Sequence, residues 1–162
     1  MKIVSNSSIL IGLSAIGRLD LLQHRFPQGI IIPSAVWNEV VKTGQGMPGA
    51  KQVSQADWIV PQNVQNNVGA LSLQSYLDYG EAEVIALGQE IGASLLLLDE
   101  KSARNVAVRL GHSVLGTVGV LIWARRSGLL PNLSLELELL QQKGGFRIGQ
   151  EVYEYALKHA GE

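Results

Sequence analysis

Ala93–Arg104 reads ASLLLLDEKSAR. Four consecutive leucines, Leu95 to Leu98, follow a small-residue pair and stop at two acids. A short unbroken apolar run between Gly92 and charge predicts a strand buried on both faces, as in the middle of a parallel sheet. Four residues are too few to argue a buried helix on their own. Asp99 then stands where the strand ends and the chain turns into its next helix. In open parallel sheets, ligands and catalysis collect at those carboxyl ends. Asp99 is therefore the first candidate functional residue.

Upstream, Lys2–Ser5 carries a short β-branched run that ends in Ser5-Asn6-Ser7-Ser8, any of which can cap a helix over about Ile9–Gln23. That helix would place Leu10, Leu13, Gly17 and Leu21 on one face. Ile30-Ile31-Ile32 reads as a second buried strand, closed by Pro33. A helix from Ser34 would turn Val36, Trp37, Val40 and Val41 inward and end at Gly44, and a short one would end near Ala56. Trp58–Pro61 reads as a third strand, with Pro61 marking an edge or an end. Gln62–Val68 is amide-rich and is assigned no structure. A helix from about Leu71, broken near Gly80 and resumed over Glu81–Ile91, leads back to the leucine run.

Downstream, Lys101–Leu110 reads as helix, His112–Leu115 as a short strand, and Gly116–Arg126 and Leu133–Lys143 as two more helices. Gly144-Gly145 interrupts the pattern before a last helix near Gln150–Ala160. Strands alternating with helices predict an α/β fold with a mostly parallel central sheet flanked by helices. One doubly wound domain would span residues 1–162, with 132–162 as a C-terminal helical extension.

The chain has 162 residues, room for one sizeable core. Hydrophobic residues make up 46% and charged residues 17%, which marks a globular chain. With no cysteine, disulfides, thiolate metal sites and cysteine catalysis are all excluded. A net charge of −1 gives no global basic field, although a local basic patch suffices for phosphate contacts. MKIVSNSS is too short and polar for a signal peptide, and no apolar run approaches membrane length. The expected localisation is cytoplasmic, with no membrane partner.

The first strand is followed by SNSSILIG instead of G-x-G-x-x-G, and no phosphate loop, zinc spacing or G-x-S-x-G elbow is present. What remains is oxygen-donor chemistry at strand ends. Asn6 follows the first strand and Asp99 the leucine strand, so neighbouring strands would put both on one rim. Glu39 comes from the second helix. Glu81 opens the helix before Asp99 and shares a face with Val84, Ile85 and Gly88. Glu83 competes with it, but would align with Leu87 and Glu90 on a wetter face, so Glu81 is preferred. Each acid alone also fits a solvated surface residue or a helix cap. Converging oxygen ligands without His or Cys would suit Mg²⁺ or Mn²⁺.

The sequence resembles the PIN-domain family, the fold of VapC-like toxin ribonucleases, and in particular a prokaryotic branch of PIN-like proteins of unassigned function. The resemblance rests on VSNSSILIGLSAIGRLDLL, IIIPSAVWNEVV, GEAEVIALGQEIGASLLLLDEKSAR and GFRIGQEVYEYAL. It implies that Asn6, Glu39, Glu81 and Asp99 are both the catalytic and the metal-holding residues, with Mg²⁺ or Mn²⁺ as cofactor. The departure is Asn6, where the family pattern has Asp, so the cluster carries one negative charge fewer. The implied activity is metal-assisted hydrolysis of phosphodiester bonds in single-stranded RNA. The implied setting is a toxin–antitoxin pair, with a small antitoxin protein and a homodimer as partners.

Lys101 and Arg104 follow Asp99 closely and either meet the RNA backbone or belong to a solvated helix start. Ser5 and Ser7 flank Asn6 and either hydrogen-bond to its ligand set or cap the helix. Arg125-Arg126 is expected to complete a helix dipole, and Trp37 and Trp123 to lie in the core. Two rival readings are a PIN domain that binds RNA or protein without cutting, and a receiver-like signalling module. The second needs an acidic pair after the first strand and a lysine after the last, where Ser5-Asn6 and Gly116-Thr117 stand.

Overall fold

The strand β1 (Ile3–Ser5) is the middle of the molecule in a computed structural model that describes residues 1–162. Around it lie β2 (Ile30–Pro33), β3 (Ile59–Gln62), β4 (Leu95–Leu97) and β5 (Val114–Leu115). The order across the sheet is β3-β2-β1-β4-β5, and every neighbouring pair is parallel. Strand order reverses at β1, between β2 and β4, so the crevice at the switch point opens there. The register brings Ser5 beside Leu97, and the Asn6 N–H donates to the Leu97 carbonyl at 3.0 Å. Asn6 and Asp99 therefore share one rim, as the leucine run predicts.

Ile3, Val4, Leu96 and Leu97 are fully buried because helices cover both faces of the sheet. The edge strand β3 contains Pro61, which has no N–H to give to a further neighbour. The helices are α1 (Ser7–Ala15), α2 (Asp20–Arg25), α3 (Ser34–Trp37), α4 (Ala50–Gln55), α5 (Asn67–Leu73), α6 (Tyr79–Ile91), α7 (Lys101–Arg109), α8 (Thr117–Arg126), α9 (Leu133–Gly144) and α10 (Gln150–Ala160). On one side, α9 packs on α1 and α8, and α10 packs on α8. No helix is long and apolar enough to cross a membrane.

Four local expectations are corrected. The single helix over Ile9–Gln23 is two, because Gly17 takes a φ of 71° and ends the first. The break near Gly80 lies earlier, at Gln74–Asp78, and Gly80 sits inside the first turn of α6. The stretch left without structure includes the start of α5, at Asn67, capped by the Asn66 side chain accepting from Gly69 N–H. The helix from Ser34 widens after one turn into a π-helical turn over Asn38–Thr43. That turn closes against Gly44, where a Cβ would stand 2.5 Å from the Val40 carbonyl oxygen.

Candidate active site

Asn6 is the first residue past β1 and the N-cap of α1, yet its side chain makes no capping bond. It is 5% exposed, and its Oδ1 is buried without a partner. Asp78 and Glu81 lock the start of α6 reciprocally: Glu81 N–H donates to Asp78 Oδ1 at 2.8 Å, and Asp78 N–H donates to Glu81 Oε1 at 3.2 Å. That exchange leaves Glu81 Oε2 buried and unpartnered on a residue only 4% exposed. Burial pushes the Glu81 carboxyl above its usual range. The Asp78 charge adds to this, the bond from Asp78 N–H opposes it, and Glu100 pushes it up again.

Gly80 sits among these groups. A Cβ there would stand 3.3 Å from Asn6 Oδ1, 3.5 Å from Glu39 Oε2 and 3.7 Å from Asp78 Oδ1. Three segments distant in sequence thus bring oxygens to one point. Glu39 reaches it from the π-helical turn, an irregularity frequently found at functional sites.

The Asp99 corner is built differently. Thr117 N–H donates to Asp99 Oδ1 at 2.7 Å, and Thr117 Oγ1 and Ser8 Oγ donate to Oδ2 at 2.8 and 2.7 Å. The carboxylate lies at the N-terminus of α8, where the helix dipole favours negative charge. Gly116 allows the approach: a Cβ there would stand 2.9 Å from Asp99 Oδ1 and 2.8 Å from Arg104 Nη1. Glu39, Asp99, Glu100, Arg104 and Arg147 line one cleft of about 730 Å³. Asn6 and Glu81 are buried and are not among the residues that line it.

The donor set is an amide and several carboxylates, which suits a hard divalent cation. Two buried oxygens, Asn6 Oδ1 and Glu81 Oε2, lack any hydrogen-bond donor, and a cation would satisfy them. No three acidic side chains are yet gathered into one ligand sphere. The side chain free to complete it is Glu39, which is exposed.

Several expectations meet a different arrangement. Glu83 is not on a wetter face: it is 6% exposed, and Leu87 is fully buried. Helix α6 is sandwiched between the strands β1, β2 and β4 and the helices α3, α5 and α7, so it has no wet side along this stretch. Glu83 accepts from Ala35 N–H at 3.0 Å, where it holds the start of α3 and raises the Tyr79 hydroxyl by its charge. Ser5 donates to the Asn6 backbone carbonyl rather than to a ligand side chain, and Ser7 lines the cleft. Lys101 and Arg104 both border a second cleft beside Asp99. Arg125 pairs with Glu162 at 3.0 Å. Trp37 and Trp123 pack against the core, half-buried.

Four residues of the site were not anticipated in these roles: Ser8, Asp78, Glu100 and Thr117. Asp78 had a readable signal, since Asp78-Tyr79-Gly80-Glu81 has the spacing of a capping box. The other three depend on contacts across the sheet.

The DUF3368 family model, a PIN domain, matches residues 2–162. The chain matches no curated protein and no solved structure. A family match that runs through every strand and helix described above decides the question of kinship: the chain belongs to the PIN-domain family.

Proposed function

We propose that the chain is a metal-dependent ribonuclease that hydrolyses phosphodiester bonds of single-stranded RNA, with Asn6, Glu39, Glu81 and Asp99 as its metal-holding and catalytic residues. PIN domains are in general nucleases that use divalent metal ions. The observation that carries the reading is the pair of buried, unpartnered oxygens on Asn6 and Glu81, linked to the cleft through Gly80, which Asn6 Oδ1 and the cleft residue Glu39 both approach. A bound Mg²⁺ or Mn²⁺ would supply charge for the scissile phosphate and an acidified water. Asp99 would keep one geometry throughout, because three hydrogen bonds hold it. Arg104 stands beside it without an ion pair and is available to a phosphate.

The toxin of a VapC-like pair is the setting we favour, acting in the cytoplasm as a homodimer restrained by a small antitoxin protein. The mean hydropathy of +0.16 and the exposed Val68, Leu71, Tyr76 and Tyr79 support an associating surface. A second reading, a PIN domain that binds RNA or protein without cutting, is favoured by Asn6 itself and by the ungathered acids.

The deciding experiment incubates purified protein with labelled single-stranded RNA and Mn²⁺, with and without EDTA. Cleavage that chelation abolishes is expected. Binding without cleavage would support the second reading, and full activity in EDTA would overturn the metal site.

A further inference from the structure

Beside the acidic cleft, and continuous with it at Asp99 and Arg104, a second cleft of about 670 Å³ opens between α7, α8 and α10. Its charge has the opposite sign. Lys101, Arg104 and Arg126 border it, and none of them has an acidic partner. The one carboxylate present is Asp99, already committed to Ser8 and Thr117. Cations gathered in a concave surface without counter-charge are a site for an anion.

The far wall of this cleft is α10, which presents Tyr155 and His159 one turn apart. Their ring centroids are 3.9 Å apart with the planes inclined at 36°. Tyr155 is 58% exposed, so a flat aromatic face is offered to solvent while His159 supports it from the other side. A ring steadied in this way loses little freedom when something stacks on it. Unpaired cations with an exposed aromatic face make the combination that binds single-stranded nucleic acid: charge follows the backbone, and a base stacks on the ring. A duplex offers no free base face, and an acidic peptide offers no base at all.

We propose that this second cleft is a nucleotide subsite, in which one base of a single-stranded RNA stacks on Tyr155 while Lys101 and Arg126 hold the adjoining phosphates. The proposal deepens the ribonuclease reading and rests on it for the direction of the strand, which would run from the acidic cleft across Asp99 onto α10. The subsite would thus seat a nucleotide flanking the cut.

The test uses the full chain and fluorescein-labelled oligouridine of eight nucleotides, followed by anisotropy in EDTA so that nothing is cut. A companion series carries one abasic residue at each position in turn. Wild type is expected to lose roughly tenfold in affinity at one position of the series, within the range for one stacked base. Tyr155→Ala should lose about the same on the intact oligonucleotide and nothing further at that position, while Tyr155→Phe keeps wild-type behaviour. Lys101→Ala and Arg126→Ala should each lower the slope of log affinity against log salt by roughly 0.7. A flat abasic series, a Tyr155→Ala protein that binds like wild type, or no binding by wild type would overturn the subsite. Cleavage of the same oligonucleotide with Mn²⁺ is scored separately. Cleavage with a flat series removes the subsite alone, and a position-dependent series without cleavage removes the nuclease reading alone.

Discussion

Two carboxylates of the candidate site live under opposite conditions. Asp99 accepts three hydrogen bonds, from two hydroxyls and a backbone N–H at the head of α8. Glu81, in the first turn of α6, spends one oxygen on its capping box and leaves the second buried with nothing to accept from. The first corner is stable as it stands. The second is destabilised by its own charge and would be relieved by a cation. On the proposed reading, such a site would separate positioning from affinity: Asp99 would fix where a substrate group sits, and Asn6 and Glu81 would decide how strongly positive charge is drawn in.

The largest effect should come from breaking the satisfied corner. Asp99→Ala leaves the Thr117 N–H and two hydroxyls without their acceptor, and apo stability should fall by about 3 kcal/mol, measured by urea unfolding. Asp99→Asn should also lose apo stability, because its amide cannot accept all three bonds. Sequence alone suggests the reverse, that removing a charge from an acidic rim leaves the apo protein as stable or more so. The three donors decide the sign.

Sharpening the unsatisfied corner should have a smaller effect. Asn6→Asp adds a negative charge beside Glu39 and Asp78. Mn²⁺ binding, followed by calorimetry, should tighten roughly tenfold. The apo melting temperature should fall at neutral pH, since like charges repel at one rim. Identical isotherms for wild type and variant would remove Asn6 from the metal site.

The mildest change is Glu81→Gln, which keeps an acceptor for Asp78 N–H and removes only the charge. The folded protein holds the Glu81 carboxyl above its ordinary 4.5. Its contribution to apo stability is therefore fully present below the unfolded value and lost as pH rises through the folded one. The glutamine variant should melt higher than wild type at neutral pH, with the difference vanishing in acid. Glu162 acts in the opposite sense. Burial alone would raise it, but the Leu133 and Ser134 N–H groups and the Arg125 guanidinium hold it below its usual range, so its support fades as the solution becomes acid.

The strands were legible because each is a short apolar run that stops at a polar residue, a proline or a glycine, and β4 is the clearest case. Residues bounding the last helix were legible too, since Gly149 and Gly161 bracket a clean amphipathic stretch. The wide turn at Asn38–Thr43 was not, because nothing in NEVVKT distinguishes a π-helical turn from an α-helical one. The face of α6 that carries Glu83 was misjudged for a related reason. Periodicity sorts one side from another only when one side is wet, and this helix is buried all round from Gly80 to Gly88. Asn6 and Asp99 could be placed from their strands alone. Ser8 and Thr117 could not, since their importance depends on which residue stands across the rim.

The central position of β1 also has a consequence for the order of synthesis. Its neighbour β4 and the Thr117 that fixes Asp99 leave the ribosome long after Asn6 has emerged. Every strand pairing here closes a long loop, which makes such sheets slow to assemble. A nascent chain that stops short of Thr117 has the amide of the first strand but no seated Asp99.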